Sequence, residues 1–161
     1  MKLAPQQIRT FFVSTQTWGR CSLFQSERLV LLLIDVLQQN RRKLHFELHE
    51  FVIMPDHLHL LLTPAHEIPL ERAVQYIKGG FSYRARKELG FGGAVWQASF
   101  TNHRIRDARD YEAHRQYILQ NPRRRGLPDD YPYCSGRQGF ELDPAPPGLK
   151  PRFEEPRRSC A

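Results

Sequence analysis

The chain has 161 residues and a formal net charge of +7, with 24 Lys and Arg against 17 Asp and Glu. This length suits one domain with a core of its own, and the positive charge favours a polyanionic partner. The three cysteines form no CxxC pair, which argues against a disulfide framework or a cysteine-built zinc site. No apolar run approaches the roughly 18 residues of a membrane span, and no export signal is apparent, so we expect a cytoplasmic protein without a membrane partner.

The first half of the sequence predicts a strand, a helix and a hairpin. Residues 9–17 are rich in β-branched and aromatic side chains, which is typical of a strand. A helix is predicted from the N-cap Ser26 to about Arg42, with apolar residues at helical spacing on one face. Residues 44–54 predict a second strand, and a Pro-Asp turn connects it to a third strand that Pro64 ends.

The second half of the sequence begins with a long helix. Residues 69–89 have helical spacing, with the proline in the first turn. Short strand pieces are predicted at 95–97 and 102–106. The order strand, helix, strand, strand, helix, strand, with a final helix, predicts an α+β fold. We expect a ferredoxin-like antiparallel sheet with helices packed on one face.

The C-terminal part of the sequence predicts one more helix and then a tail. Asp107 is a candidate cap for a helix over 108–121, and Pro122 is expected to end it. Seven of the twelve prolines fall in the residues that follow, where hydrophobic spacing disappears. We therefore divide the chain into a domain over 1–128 and a Pro-rich tail over 129–161, which we expect to be loosely packed or disordered.

Two histidines, His57 and His59, lie one residue apart in the third predicted strand. Side chains alternate across a strand, so both imidazoles share one face while Leu58, Leu60 and Leu62 line the other. Two adjacent imidazoles supply half of a metal site. Two histidines at a sheet edge, one hydrogen-bonded and one exposed, fit the same pattern. The pair alone leaves both interpretations open.

The last predicted helix carries residues that can complete such a site. Tyr117 and Asn121 are four residues apart and therefore share a helical face. Asn121 can offer an amide oxygen to a hard divalent cation, and Tyr117 can offer a phenolic nucleophile beside it. Taken without the histidines, a packing role for Tyr117 and a C-cap role for Asn121 are the simpler interpretation.

Five sequence blocks together resemble a known family. In chain order they are MPDHLHLL at 54–61, IKGGFS at 77–82, VWQ at 95–97, NHRIRD at 102–107 and YILQNP at 117–122. They resemble the IS200-like tyrosine transposases, the Y1 group of HUH enzymes, in which two histidines flank a hydrophobic residue. The similarity is strongest to the REP-associated branch, found beside bacterial repetitive extragenic palindromes. It covers about residues 9–135 and implies an HUH endonuclease fold.

The resemblance also implies roles for individual residues. His57 and His59 match two ligands of Mg²⁺ or Mn²⁺, and Asn121 matches the third. Tyr117 matches the nucleophile of a metal-dependent single-stranded DNA endonuclease and strand transferase. Family members cleave at the foot of hairpin, REP-type palindromic DNA and form a 5′-phosphotyrosine intermediate. The REP-associated branch implies a monomer, whereas related insertion-sequence enzymes are homodimers.

Basic and aromatic residues fit a DNA partner. Phosphate contacts make DNA affinity sensitive to salt, and either tryptophan, Trp18 or Trp96, could stack on unpaired bases. His103 is expected to be structural or to face DNA, and His114 to lie on the surface. The predicted DNA-contacting residues are Lys78, Arg84, Arg104, Arg106, Arg123 and Arg124.

Two other function classes fit parts of the pattern. A non-catalytic ferredoxin-like nucleic-acid-binding module would need exposed aromatic residues on its sheet and no metal site. A rolling-circle replication initiator shares the paired-histidine chemistry, but such proteins usually carry their motifs in a different order on a longer chain. Metal dependence of cleavage and binding separates the enzyme from the binding module.

Overall fold

A computed structural model describes residues 7–150 of the chain. The strands are β1 (Phe11–Gln16), β2 (Phe46–Met54), β3 (His57–Pro64) and β4 (Thr101–Arg104), and the helices are α1 (Glu27–Arg42), α2 (Leu70–Leu89) and α3 (Ala108–Arg124). This is the order of elements that the sequence predicts, except that the strand piece predicted at 95–97 forms only an isolated bridge between Trp96 and Thr17. Within the described residues, no helix has the length and hydropathy that crossing a membrane requires.

The four strands form one antiparallel sheet in the order β2-β3-β1-β4. β2 and β3 form a hairpin, and β1 pairs with β3 on one side and with β4 on the other. In this register Ser14 lies opposite His59, and Gln16 lies opposite His57. The predicted α+β fold with a ferredoxin-like antiparallel sheet is confirmed.

The alternation of side chains divides the core between the two faces of the sheet. Leu58 and Leu60 belong to the larger apolar cluster, which packs against α1 and α2. Val52 and Leu61 point the other way and pack with Ile118 of α3. We expected helices on one face; α1 and α2 lie there, whereas α3 lies on the opposite face. The reason is that Val52, Met54 and Leu61 give the second face an apolar surface of its own, which also needs a cover.

The C-terminal end of α3 differs from the prediction that Pro122 ends this helix. The helix continues through Pro122 to Arg124. Proline has no N–H, so the carbonyl group of Ile118 loses its usual helical donor. The Cys134 thiol donates to that oxygen instead, at 3.9 Å. Asn121 is therefore buried within the helix and does not cap its end.

Residues 129–150 pack along the edge strand β2, which differs from the loosely packed tail expected there. The amide of Ser135 donates to the carbonyl oxygen of Phe51, and the amide of Asp143 donates to that of Leu48, both at 2.8 Å. The segment thus satisfies backbone groups at an otherwise open sheet edge. Because the segment is held by isolated backbone hydrogen bonds and forms no α-helix or strand, its sequence shows no hydrophobic periodicity. The last eleven residues of the predicted tail lie outside the described part of the chain.

His49 connects this segment to the sheet from a buried position, with only 2% of its surface exposed. Its Nδ1 lies 3.1 Å from the carbonyl oxygen of Asp143, and its Nε2 lies 2.8 Å from the hydroxyl oxygen of Thr63. Burial lowers the pKa of His49, although the hydrogen bond to the Asp143 carbonyl opposes this effect. The neutral imidazole is therefore the form that the fold favours.

We expect stability to decrease as the pH falls below about 6.5, the pKa of an unfolded histidine. Below that pH the unfolded chain takes up a proton at His49 that the folded chain disfavours. His49→Gln should cost about 1 kcal/mol at pH 8 through weakened hydrogen bonds, yet flatten the decline in unfolding free energy between pH 7 and 5. Urea unfolding measures both effects, with the exposed His66→Gln as control. An equally steep decline in His49→Gln would contradict this account.

Candidate active site

His57 and His59 lie on the face of the sheet that α3 covers. Their exposed fractions are only 6% and 7%. The ring centroids are 4.7 Å apart, and the ring planes are tilted by 75°. Both imidazoles share one face, as the alternation along the strand predicts. Because α3 buries both, neither is the exposed edge histidine of the alternative interpretation.

Each imidazole is oriented by a hydrogen bond at Nδ1. The Nδ1 of His57 lies 2.6 Å from Asp56 Oδ1, and the Nδ1 of His59 lies 2.6 Å from Ser14 Oγ. A carboxylate only accepts, so the Nδ1 of His57 carries a proton, and in the neutral ring this leaves the lone pair on Nε2. If His59 has the same tautomer, its Nδ1 donates to Ser14 Oγ and its Nε2 is an acceptor. Hydrogen bonds of this kind orient the histidine ligands of metal sites.

Two polar atoms at this site are buried and unpaired. Among the described residues, His59 Nε2 and Asn121 Oδ1 are two of the three buried side-chain atoms without a hydrogen-bond partner. An unsatisfied buried acceptor is costly and requires an explanation. Both atoms are electron-pair donors of the type that divalent cations accept. On this ground, His57, His59 and Asn121 fit a divalent cation.

The protonation state of His59 also suits a cation ligand. The pKa of His59 is lowered to about 3, mainly by burial and to a smaller extent by the nearby side chains of His57 and Arg125. The imidazole is therefore neutral at pH 7, which is the form that binds a metal ion. Burial beneath α3 thus prepares this residue for coordination.

Tyr117 approaches the two histidines from α3. Its ring meets the ring of His59 edge to face, with centroids 5.4 Å apart. The ring of Phe12 on β1 stacks on His59 at 5.4 Å and meets Tyr117 at 5.8 Å. Asn121 follows one helical turn later on the same face of α3. The structure therefore brings the predicted nucleophile and histidines together in one cluster.

Two predicted DNA-contacting residues lie beside this cluster, in the last turn of α3. The Arg124 guanidinium lies 5.6 Å from the centroid of the Tyr117 ring. The Arg123 side chain is 83% exposed, and its only described charge contact is a distant one of 3.9 Å to Asp129. Both side chains are exposed, and Arg124 is placed to reach a DNA phosphate near the tyrosine.

Arg104 and Arg106 lie near the other end of α3. The Arg106 side chain is 76% exposed, with its Nε 3.4 Å from Asp110 Oδ2. The Arg104 guanidinium lies over the ring of Phe11, 5.1 Å from its centroid. Because Phe11 belongs to the cluster beneath α1 and α2, Arg104 is directed away from the histidines, whereas Arg106 is accessible.

Lys78 and Arg84 lie on α2, across the sheet from the histidines. Lys78 Nζ donates to the carbonyl oxygen of Gln97 at 2.7 Å. Arg84 binds Asp35 at 2.6 Å and Glu88 at 2.5 Å. These two side chains are occupied within the protein, and their placement gives no support to the DNA contacts predicted for them.

Sequence reasoning does not identify Ser14 and Phe12 as members of this site. They lie two residues apart on β1 and so face the same side. Only the pairing of β1 with β3 shows that Ser14 opposes His59 and that Phe12 opposes Leu61. The sequence shows only that an aromatic and a polar residue occupy alternate positions of a predicted strand. This pattern does not tell which residues of another strand they contact.

Comparisons with known proteins identify relatives of this chain. The family model described as "Transposase IS200 like" matches residues 13–121, from β1 to the end of the candidate site. A protein of Haemophilus influenzae named as a REP-associated tyrosine transposase is 33% identical over 103 residues, which cover 56% of this chain and 58% of that protein. The chain thus spans less than two thirds of the length of this relative. The REP-associated tyrosine transposase of Escherichia coli is 26% identical over 127 residues, 74% of each chain.

Solved structures share the fold. The structure of a REP-associated tyrosine transposase bound to a REP hairpin matches with a TM-score of 0.61 and 26% identity, covering 83% of this chain and 78% of the other. A Deinococcus radiodurans protein described as a transposase matches with a TM-score of 0.52 and 22% identity, covering 70% of this chain and 88% of the other. The second similarity concerns the fold alone.

Removing the partner of His59 should weaken cation binding while leaving every candidate ligand in place. Ser14→Ala frees the His59 ring to rotate, so we expect the dissociation constant for Mn²⁺ to rise about tenfold or more. Calorimetric titration of the metal-free protein measures this change. Ser82→Ala, on α2 and similarly half-buried, is the matched control. Equal affinities in the two variants would show that Ser14 does not orient a ligand.

Proposed function

The chain belongs to the IS200-like transposase family, and on this premise we propose that it is a metal-dependent, single-strand-specific DNA endonuclease and strand transferase acting at hairpin, REP-type palindromes. The observation that carries the proposal is the contact between the rings of Tyr117 and His59, with centroids 5.4 Å apart. Relatives named as REP-associated tyrosine transposases, and a related structure bound to a REP hairpin, support the substrate class.

The ligand set of the proposed enzyme is His57, His59 and Asn121, holding Mg²⁺ or Mn²⁺. Two imidazoles and an amide oxygen leave positions open for phosphate oxygens, and the bound ion supplies Lewis-acid stabilisation of the negative charge there. The protein's own contribution is orientation. Asp56 and Ser14 fix the two rings, and the cover of α3 limits the access of water.

Tyr117 is the nucleophile in this proposal. Its phenol loses a proton, and the oxygen forms a bond to the scissile phosphorus while the bond from phosphorus to the 3′-oxygen breaks. The 3′-oxygen takes up a proton and leaves as a free hydroxyl, and the other DNA fragment stays linked to the tyrosine through its 5′-phosphate. Attack by a 3′-hydroxyl reverses these steps and restores the phenol. The covalent intermediate conserves the bond energy, so strand transfer needs no external energy source.

Exposed side chains around the site supply the proposed DNA contacts. Arg106, Arg123 and Arg124 offer charges to backbone phosphates. Trp18 is 58% exposed and directly follows Thr17, whose amide donates to the Asp56 carbonyl oxygen beside the histidines. An unpaired base at the foot of a hairpin can stack on this indole.

Trp96 does not share this role. Its ring packs against Phe24 and Phe81, with centroids 5.6 and 5.7 Å away, and its Nε1 donates to the carbonyl oxygen of Lys78 at 3.0 Å. Trp96 is therefore part of the core. The non-catalytic binding module has less support than the enzyme, because it does not account for the unpaired buried atoms of His59 and Asn121.

Tyr117→Phe should abolish the covalent adduct with DNA while preserving hairpin binding, because only the attacking oxygen is removed. A labelled REP-type hairpin with a single-stranded flank, incubated with Mn²⁺ and separated under denaturing conditions, reveals the adduct. Tyr83→Phe, which alters a 64% exposed tyrosine on α2, should form the adduct normally. An adduct formed by Tyr117→Phe would disprove the assigned nucleophile.

The salt dependence of hairpin binding should identify the phosphate contacts. The double variant Arg123→Ala/Arg124→Ala removes two proposed contacts to single-stranded DNA, so the slope of log K against log salt should become shallower by about 1.4. Arg28→Ala/Arg86→Ala removes the same charge from α1 and α2 and should change the slope less. Equal changes in both double variants would indicate that only net charge matters.

A further inference from the structure

A second cluster of metal-ligating side chains lies where β4 meets the start of α3. His103, Asp110 and His114 each place one ligand atom within 4.8 Å of the others. The two imidazoles are stacked, with centroids 4.7 Å apart and planes within 17° of parallel. From the sequence, we expect His103 to be structural or to face DNA, and His114 to lie on the surface. Both rings are half-buried and turn towards Asp110, which for His114 differs from the surface position expected.

Asp110 is the centre of this cluster, and its side chain is only 6% exposed. Its Oδ2 accepts from His103 Nε2 at 2.7 Å and from the amide of Arg106 at 2.9 Å. Its Oδ1 lies 3.2 Å from His114 Nδ1. Burial favours the neutral acid, yet the hydrogen bonds from His103 and the Arg106 amide outweigh it and lower the pKa of Asp110. The group is therefore a carboxylate at neutral pH.

Local structure fixes all three side chains. Asp107 caps α3 by accepting from the amide of Asp110 at 2.8 Å, which sets the first turn of the helix. His114 follows Asp110 by four residues and so lies on the same helical face. His103 is paired with Phe12 in the β1–β4 register. The cluster thus joins an edge strand to the helix that carries the proposed nucleophile.

We propose that His103, Asp110 and His114 form a second metal site, which takes a borderline transition-metal ion such as Zn²⁺ or Co²⁺. Two imidazoles and one carboxylate are a common donor set for such ions, with solvent completing the coordination. Bonds of about 2.0–2.1 Å require ligand atoms no more than about 4.2 Å apart. The cluster reaches this limit with small inward movements, which the more exposed His103 can make.

The hydrogen bonds within the cluster are compatible with this site. In the metal-free form, His103 Nε2 donates to the Asp110 carboxylate at 2.7 Å, and His114 Nδ1 donates to the backbone carbonyl oxygen of Asp110 at 2.9 Å. An ion bound at the cluster would take the place of these protons. Arg106 also reaches Asp110 Oδ2, at 3.4 Å, but its side chain is 76% exposed. Because the Arg106 guanidinium is largely solvated and its contact with Asp110 is long, this pair contributes little free energy, and Arg106 can swing away.

The ring of Phe12 separates this cluster from the candidate active site. It contacts His114 at 4.9 Å on one side and His59 at 5.4 Å on the other. Because the phenyl ring offers no ligand atom, the two sets of donors cannot merge into one site. An ion bound by His114 would fasten α3 to β4 three residues before Tyr117. The second site is therefore structural, and it fixes the helix that carries the nucleophile.

Co²⁺ binding to the metal-free, full-length protein tests this inference without reference to DNA cleavage. Calorimetry should give two equivalents for the unaltered protein and one for His103→Ala or His114→Ala. The control His66→Ala, which removes an exposed histidine of a loop, should keep two. Circular dichroism of the metal-free variants checks folding, and paramagnetic effects on the histidine ring resonances in NMR locate each ion.

The outcomes separate this inference from the proposed function. If the unaltered protein bound only one equivalent of Co²⁺, and both His103→Ala and His114→Ala lost it, the result would support the second site and count against the ion at His57 and His59. The second site would be overturned if His103→Ala and His114→Ala bound as many equivalents of Co²⁺ as the unaltered protein and were stabilised by it to the same extent against heat. Paramagnetic effects confined to His57 and His59 would overturn it as well.

Discussion

The structure depends on the strict alternation of side chains along β3. The same eight residues send leucines into the core beneath α1 and α2 and direct His57 and His59 to the opposite face. The histidines are therefore held by a strand buried on both sides, whose packing resists rotation of their backbone. A shift of one residue in the pairing of this strand would exchange the two faces and place imidazoles in the apolar core.

The packing of α3 over β3 completes the candidate active site. The helix removes water from both rings, which keeps His59 neutral, and it brings the ring of Tyr117 against the ring of His59. It also buries Asn121 Oδ1 without a partner. Burying unpaired acceptors costs stability, and the packing of Ile118 and Tyr111 against β2 and β3 offsets this cost. The proposed coordination of a cation would give both atoms a partner.

Local periodicity made much of this architecture predictable. Alternation placed the histidines on one face, and helical spacing placed Tyr117 and Asn121 together. Contacts between distant segments were not predictable, because they leave no local pattern: the register that sets Ser14 beside His59, the thiol that lets α3 continue through Pro122, and the segment after residue 128 that pairs with β2. Charge was the weakest guide. Arg84 resembles a phosphate ligand in sequence, but carboxylates from α1 and α2 neutralise it.

A crystal structure of the protein soaked in Mn²⁺, with anomalous diffraction data, tests the central claim most directly, because the signal locates the ion without any assumption about activity. We expect an anomalous peak within bonding distance of Nε2 of His57, Nε2 of His59 and Oδ1 of Asn121. The hydrogen bonds that join Nδ1 of His57 to Asp56 and Nδ1 of His59 to Ser14 should be retained. A fully occupied ion elsewhere, with this site empty and Asn121 directed away from the histidines, would contradict the account.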